Sequence, residues 1–345
     1  MIKASASIYE SAIFYRITAL WVICEAFAGG IMHGLKIPFS GMMVSSLAVF
    51  CIILMAWHIP SRTAILKATL IVAIFKLMLS PHSPPTAYIA VFFQGLMGQL
   101  LVKKRTITLS AMLLGVLALV ESAIQRLLVL VILYGSSFWK AVDEFIKKIT
   151  GDKVISGYSF ILGCTYVAIH ALVGLLIGYY AARFIQQSSD WQKSNPRYLI
   201  KGFIPDTFPA ETRPKKNRLK PVFIVLWLIL LIIYLQSAFN PAQAILPPGK
   251  LMQIFLRSLL ILLTWYMFLG PLVMLLIRNG LSKQESKNKE HIAATLQQLP
   301  ETKMIFIKSW QLSKDKKGLR RLVLFVRILL VNVLGRDELM APPIS

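Results

Sequence analysis

The sequence predicts an all-α polytopic membrane protein of about eight transmembrane helices, and three observations carry that prediction. Hydrophobic residues fill 56% of the 345 positions and charged residues only 15%, more apolar surface than a soluble core of this length buries. Apolar runs of spanning length recur at 17–35, 41–58, 63–79, 87–102, 107–134, 155–182, 221–239 and 253–277. Basic residues collect between and after these runs, as a cytoplasmic membrane face requires. The net charge of +23 therefore speaks for that face and against nucleic acid.

The first run begins after Lys3 and Arg16, and Ala26-Phe27-Ala28 before Gly29 has the look of a signal-peptide cleavage site. Because the apolar phase continues through Gly30, Ile31 and Met32, an intact first span is expected. Within it Ala26, Gly30 and Gly34 recur every four residues and put small side chains on one helix face. Such a face suits either packing inside the bundle or docking of a separate subunit. The third and fourth spans meet at a corner over 80–86, where Pro81, Pro84 and Pro85 stop one helix before the next starts near Tyr88. A short surface helix at 139–153, with Lys140, Lys147, Lys148 and Lys153 offset by Asp143, Glu144 and Asp152, separates the fifth span from the sixth.

Residues 1–183 thus form a six-helix membrane module, and the polar stretch 184–220, with Pro196, Pro205 and Pro209, reads as a cytoplasmic linker. A two-helix membrane unit follows at 221–278, then a basic cytoplasmic or interfacial helical tail at 279–345. In that tail 283–298 reads as an exposed helix. Residues 319–334, with Arg327 near the middle, suit a helix lying in the interface or packed on a partner, with a ninth span as the alternative. Arg62, Lys103-Lys104-Arg105, the 183–220 segment and everything from Arg278 fall on one side, which puts both termini in the cytoplasm of an integral cytoplasmic (inner) membrane protein.

Catalytic signatures are missing: no HExxH, no phosphate-binding GxxxxGK[ST], no Gly-x-Ser-x-Gly and no paired aspartates. Cys24, Cys51 and Cys164 stand singly, without metal-ligand spacing. Neither enzymatic activity nor a metal or cofactor is expected.

The polar residues inside the spans carry the functional expectation: Glu25, Lys76, Gln94, Glu121, Arg126 and His170. A charge at the bilayer centre costs about 3 kcal/mol, so these groups should face the bundle interior and find partners. Glu25 with Lys76 and Glu121 with Arg126 are candidate structural pairs. Alternatively they line a solute site, in which the Lys76 ammonium at the outer corner meets a carboxylate or phosphate. There Gln94 would supply amide hydrogen bonds, and Tyr88 and Phe92 an apolar wall. Glu121 and Arg126, five positions apart and so about 140° around a helix, would seek partners on another span, Glu25 and His170 among them, or on the ligand.

Six helices in 1–183, the small-residue stripe Ala26/Gly30/Gly34, the Pro-rich corner at 80–88 and the polar stretch 121–126 together resemble the substrate-binding component of energy-coupling-factor vitamin transporters. The resemblance implies uptake of a small vitamin-like solute from outside, a membrane coupling subunit docked on the first-helix stripe, and separate cytoplasmic ABC ATPases. The C-terminal part is faintly similar to a shortened transmembrane coupling component. That family's Ala-Arg-Gly signatures are not present, the nearest sequence being Lys317-Gly318-Leu319-Arg320-Arg321. The alternative function is a non-catalytic membrane scaffold or assembly factor whose basic tail binds partners or anionic lipid at the cytoplasmic face.

Overall fold

The computed structural model describes residues 2–28, 39–61, 63–80, 83–150, 157–200 and 269–335, with a few residues between 258 and 265. Every regular element among them is helical, and three helices are long and apolar enough to cross a membrane: Ser40–His58, Lys104–Gly135 and Tyr158–Gln186. Gly30, Gly34 and the expected span at 221–239 lie outside the described residues, as does part of 253–277.

Helix α1 (Ile2–Val22) runs into a π-helical turn at Ile23–Ala28. Helices α2 (Ser40–His58), α3 (Ala64–Leu79) and α4 (Pro85–Leu101) start and stop within two residues of the expected second, third and fourth spans. Pro85 opens α4 at a position where the missing N–H costs nothing, which is why the Pro-rich corner ends where it does. Helix α5 (Ile107–Thr150) bends at Gly135, whose φ of 67° and ψ of −174° suit only a residue without a side chain. The bend separates the expected span from the expected surface helix. Helices α6 (Tyr158–Gln186), α7 (Ser188–Ser194), α8 (Gly270–Lys287), α9 (Lys289–Leu312) and α10 (Gly318–Leu334) complete the described set.

The chain divides into two compact units that cut across the boundaries read from the sequence at 183, 220 and 278. One comprises Met1–Ala123, Val167–Pro205 and Val273–Ser345; the other comprises Ile124–Tyr166 and Asp206–Leu272. In the second unit the Asp143 carboxylate accepts hydrogen bonds from the Ser159 backbone N–H at 2.7 Å and hydroxyl at 3.1 Å, capping the start of α6.

The first unit is built on α1 to α4, which pack on one another around Ala48, Ile52, Ile53, Ile71, Val72 and Phe75. Helices α5 and α6 cross with their backbones touching: a Cβ built at Gly174 or Gly178 would overlap the carbonyl oxygen of Gly115 or Ala111. Ala111 and Gly115 on one helix and Gly174 and Gly178 on the other are each four apart, the spacing that lets two helices meet without side chains between them. The outward faces of these helices carry exposed Leu109, Leu113, Leu172 and Leu176, which water would not tolerate in such density and hydrocarbon does.

The segment 283–298, expected as an exposed helix, is helical and exposed on one side, with the other side covered. Helix α9 packs along α1 through His291, Thr295, Gln298, Thr302, Ile305 and Ser309, a seam alternating four and three residues. Its polarity hid it, but Thr295 and Thr302 each donate to their own helix's carbonyl four residues back at 2.8 Å, whereas Gln298 Oε1 and Ser309 Oγ in the same seam have no partner among the described residues. Tyr15 Oη lies 2.9 Å from His291 Nδ1. Burial and the Glu290 carboxylate push its phenol above the ordinary value, which keeps it protonated.

Helix α10 returns along α9, with the Phe325 ring edge-on to Phe306 and Trp310. Its second half, including Ile328, Leu330, Val331 and Val333, is buried within this chain's own first unit. Asn332 ties it down: Nδ2 donates to Tyr198 O at 3.0 Å and to Ile328 O at 2.7 Å, and Oδ1 accepts from Ile200 N at 2.7 Å. Asn332→Leu is expected to cost about 2 kcal/mol, because the Ile200 N–H and Tyr198 carbonyl lose their partner. The check is trypsin cleavage after Arg197, which should become faster while α1 to α4 stay protected.

Candidate functional site

Of the polar residues expected inside the membrane, Glu25 and Lys76 meet where the end of α1 packs on α3. The π-helical turn ending α1 departs from the regular hydrogen-bond ladder, and Ala26 O accepts the Ser80 hydroxyl across the interface at 3.0 Å. The same turn carries Glu25, whose Oε2 lies 2.7 Å from the Lys76 ammonium, with the two side chains 2% and 6% exposed. Lys76 occupies the last turn of α3, where its cation also faces the negative end of the helix. This ammonium, expected to await an incoming carboxylate or phosphate, already has its counter-ion. The two buried opposite charges lie at hydrogen-bond distance and neutralise each other.

Helix α4 crosses α3 at Gly95, where an added Cβ would overlap the Thr69 side chain. Thr69 turns its hydroxyl back to Ile65 O at 2.7 Å and so presents no free polar group there. Seven residues along each antiparallel helix from this crossing stand Lys76 and Tyr88, on the same faces and at the same level. Tyr88 is 1% exposed, and its hydroxyl has no hydrogen-bond partner among the described residues. Gln94 is equally buried; Nε2 donates to the Ser45 hydroxyl of α2 at 3.0 Å, while Oε1 is left without a partner.

The remaining expected residues lie elsewhere. Phe92 is 40% exposed, a correction to its expected place in an apolar wall: the buried stripe runs Tyr88, Val91, Gly95, Gly98, and Phe92 is turned 100° from Val91. Glu121 is half-buried on α5 in the first unit, whereas Arg126 is exposed and belongs to the second. His170 is buried on α6, its ring 6.4 Å from that of Phe39. Ala26, expected on a docking stripe, is buried at 5% beside the ion pair.

Sequence reasoning missed Ser45, Thr69 and Ser80, single hydroxyl residues that nothing in a linear pattern marks out. It also missed the Ala111/Gly115 and Gly174/Gly178 crossing, whose four-residue spacing was legible. Cys24 and Cys51 were read as scattered core residues; both are buried and free. No group of three or more His, Cys, Asp or Glu able to hold a metal occurs among the described residues.

Fold and site together define, among the described residues, an all-helical protein with three apolar helices of membrane-spanning length and a buried ion pair where the end of α1 meets α3. The chain matches no family model, no curated protein and no solved structure.

Proposed function

We propose that this chain is the solute-binding part of a membrane uptake system. In this reading it has about eight spans with both termini in the cytoplasm, is itself non-catalytic, and works with a membrane coupling subunit and separate ABC ATPases. The observation that carries the reading is the set of buried polar atoms on α4 without a partner among the described residues, Tyr88 Oη, Gln94 Oε1 and Gln99 Oε1, the first of them at the level of Lys76. Each such atom costs about 1–3 kcal/mol of desolvation unless something hydrogen-bonds to it, and a bound solute would supply that bond.

The test is native mass spectrometry of the full chain extracted in mild detergent, together with identification of the proteins that copurify. A small molecule retained at stoichiometric level, and ABC ATPases in the same preparation, are expected. Tyr88→Phe should lower solute retention about fivefold, one hydrogen bond's worth, with no loss of folded protein since it removes an unpartnered group; Gln94→Leu should lower retention as well, but with some loss of stability because it also removes the bond to Ser45. If no small molecule is retained and Tyr88→Phe changes nothing except a gain in stability, the orphaned atoms are an uncompensated packing cost and the chain is better read as a scaffold.

A further inference from the structure

We propose that the outer face of the α9–α10 hairpin docks on an anionic lipid surface. Between residues 302 and 335 the chain carries eight Lys and Arg residues against one carboxylate, Asp315. Four of the cations, Lys314, Lys316, Lys317 and Arg320, are exposed around the hairpin's turn. Next to them Ile307 and Trp310 on α9 and Leu322 and Val323 on α10 remain 41–48% exposed, although the opposite side of each helix is packed into the first unit. The Arg321 guanidinium lies 4.1 Å over the Trp310 ring, holding a further positive charge against the apolar patch.

Apolar side chains and a Trp bracketed by Lys and Arg are the composition of a helix that sits at the headgroup level of an anionic leaflet. Long cationic side chains reach phosphate oxygens there while the apolar ones enter the acyl boundary. The placement of the hairpin agrees. Arg327 of α10 stacks 5.0 Å over Phe184 at the end of α6, and Gln186 of that end reaches Thr108 at the start of α5 at 3.5 Å. The hairpin is therefore anchored at the end of two helices of spanning length, beside the bilayer those helices would occupy, and the lipid surface is present at high effective concentration. An acidic protein would satisfy the charges, but it would have to reach a face that the membrane already adjoins.

The experiment uses the full chain with Leu322→Cys and Cys164→Ser, labelled with bimane and placed in nanodiscs containing a nitroxide-bearing phosphatidylcholine. Quenching should rise about threefold when about 30 mol% phosphatidylglycerol replaces neutral lipid. It should fall back in about 1 M salt, and in the combined variant Lys314→Gln, Lys316→Gln, Lys317→Gln, Arg320→Gln. Those four residues are exposed, so an unchanged unfolding temperature confirms that the hairpin itself survives. Weak quenching independent of lipid charge would overturn the proposal by leaving the face in water, open to an acidic protein. Strong quenching independent of lipid charge would overturn it by showing apolar insertion without headgroup recognition.

Discussion

Glu25→Gln and Lys76→Met, made singly, are expected to destabilise the protein by about 3–5 kcal/mol each, because each leaves one charge buried with its counter-ion removed. The two side chains lie 2.7 Å apart at 2% and 6% exposure, so no water takes over the missing partner's role without opening the contact between α1 and α3. The double variant Glu25→Gln/Lys76→Met should recover most of the loss, since neither residue then carries a charge into the bundle. Thermal unfolding followed by fluorescence-detected gel filtration in detergent reads all three. The alternative expectation, in which Lys76 is a solute ligand, requires the opposite: a single variant that folds normally and has lost its solute. Singles as stable as the parent chain would show that the ion pair is not what holds α1 against α3.

Gly174→Val and Gly178→Val should each cost about 3 kcal/mol, the upper part of the range for overpacking, because the obstruction is a backbone carbonyl that has no rotamer to move to. Even Gly178→Ala is expected to separate α5 from α6, since the first carbon added already meets the Ala111 carbonyl. Gly163→Val provides the control, as nothing lies within 4 Å of a Cβ there. Cysteine cross-linking between α5 and α6, for example from Thr108 to Gln186, should lose yield in the three variants at Gly174 and Gly178 and keep it in Gly163→Val. Equal yields in all four would mean that the two helices do not cross through their glycines.

Helix placement in the first half of the chain was legible because each span is an apolar run with an explicit stop: the corner before Pro85, the Gly135 bend, the basic residues at 103–105. The polar residues worth attention were legible for the same reason, since a charge in an apolar run stands out. The covered face of 291–298 was not legible because His291, Thr295 and Gln298 look like a solvated face, and only the fold lays them along α1. The division into units was also out of reach, for α9 finds its partner α1 across a separation of 276 residues between Tyr15 and His291.

By itself, then, the sequence determined that the chain is helical, that long stretches of it suit hydrocarbon better than water, and that the charges inside those stretches must have partners. These follow from composition and period, which act locally along the chain. Only the tertiary structure decided which partners they are: Glu25 closes on Lys76, Gln94 finds Ser45, and Tyr88 is left with an unmatched hydroxyl. The reason is physical. Helix formation satisfies the backbone within each segment and leaves side-chain pairing to the crossing geometry, which depends on where glycines such as Gly95 and Gly174 let two helices approach.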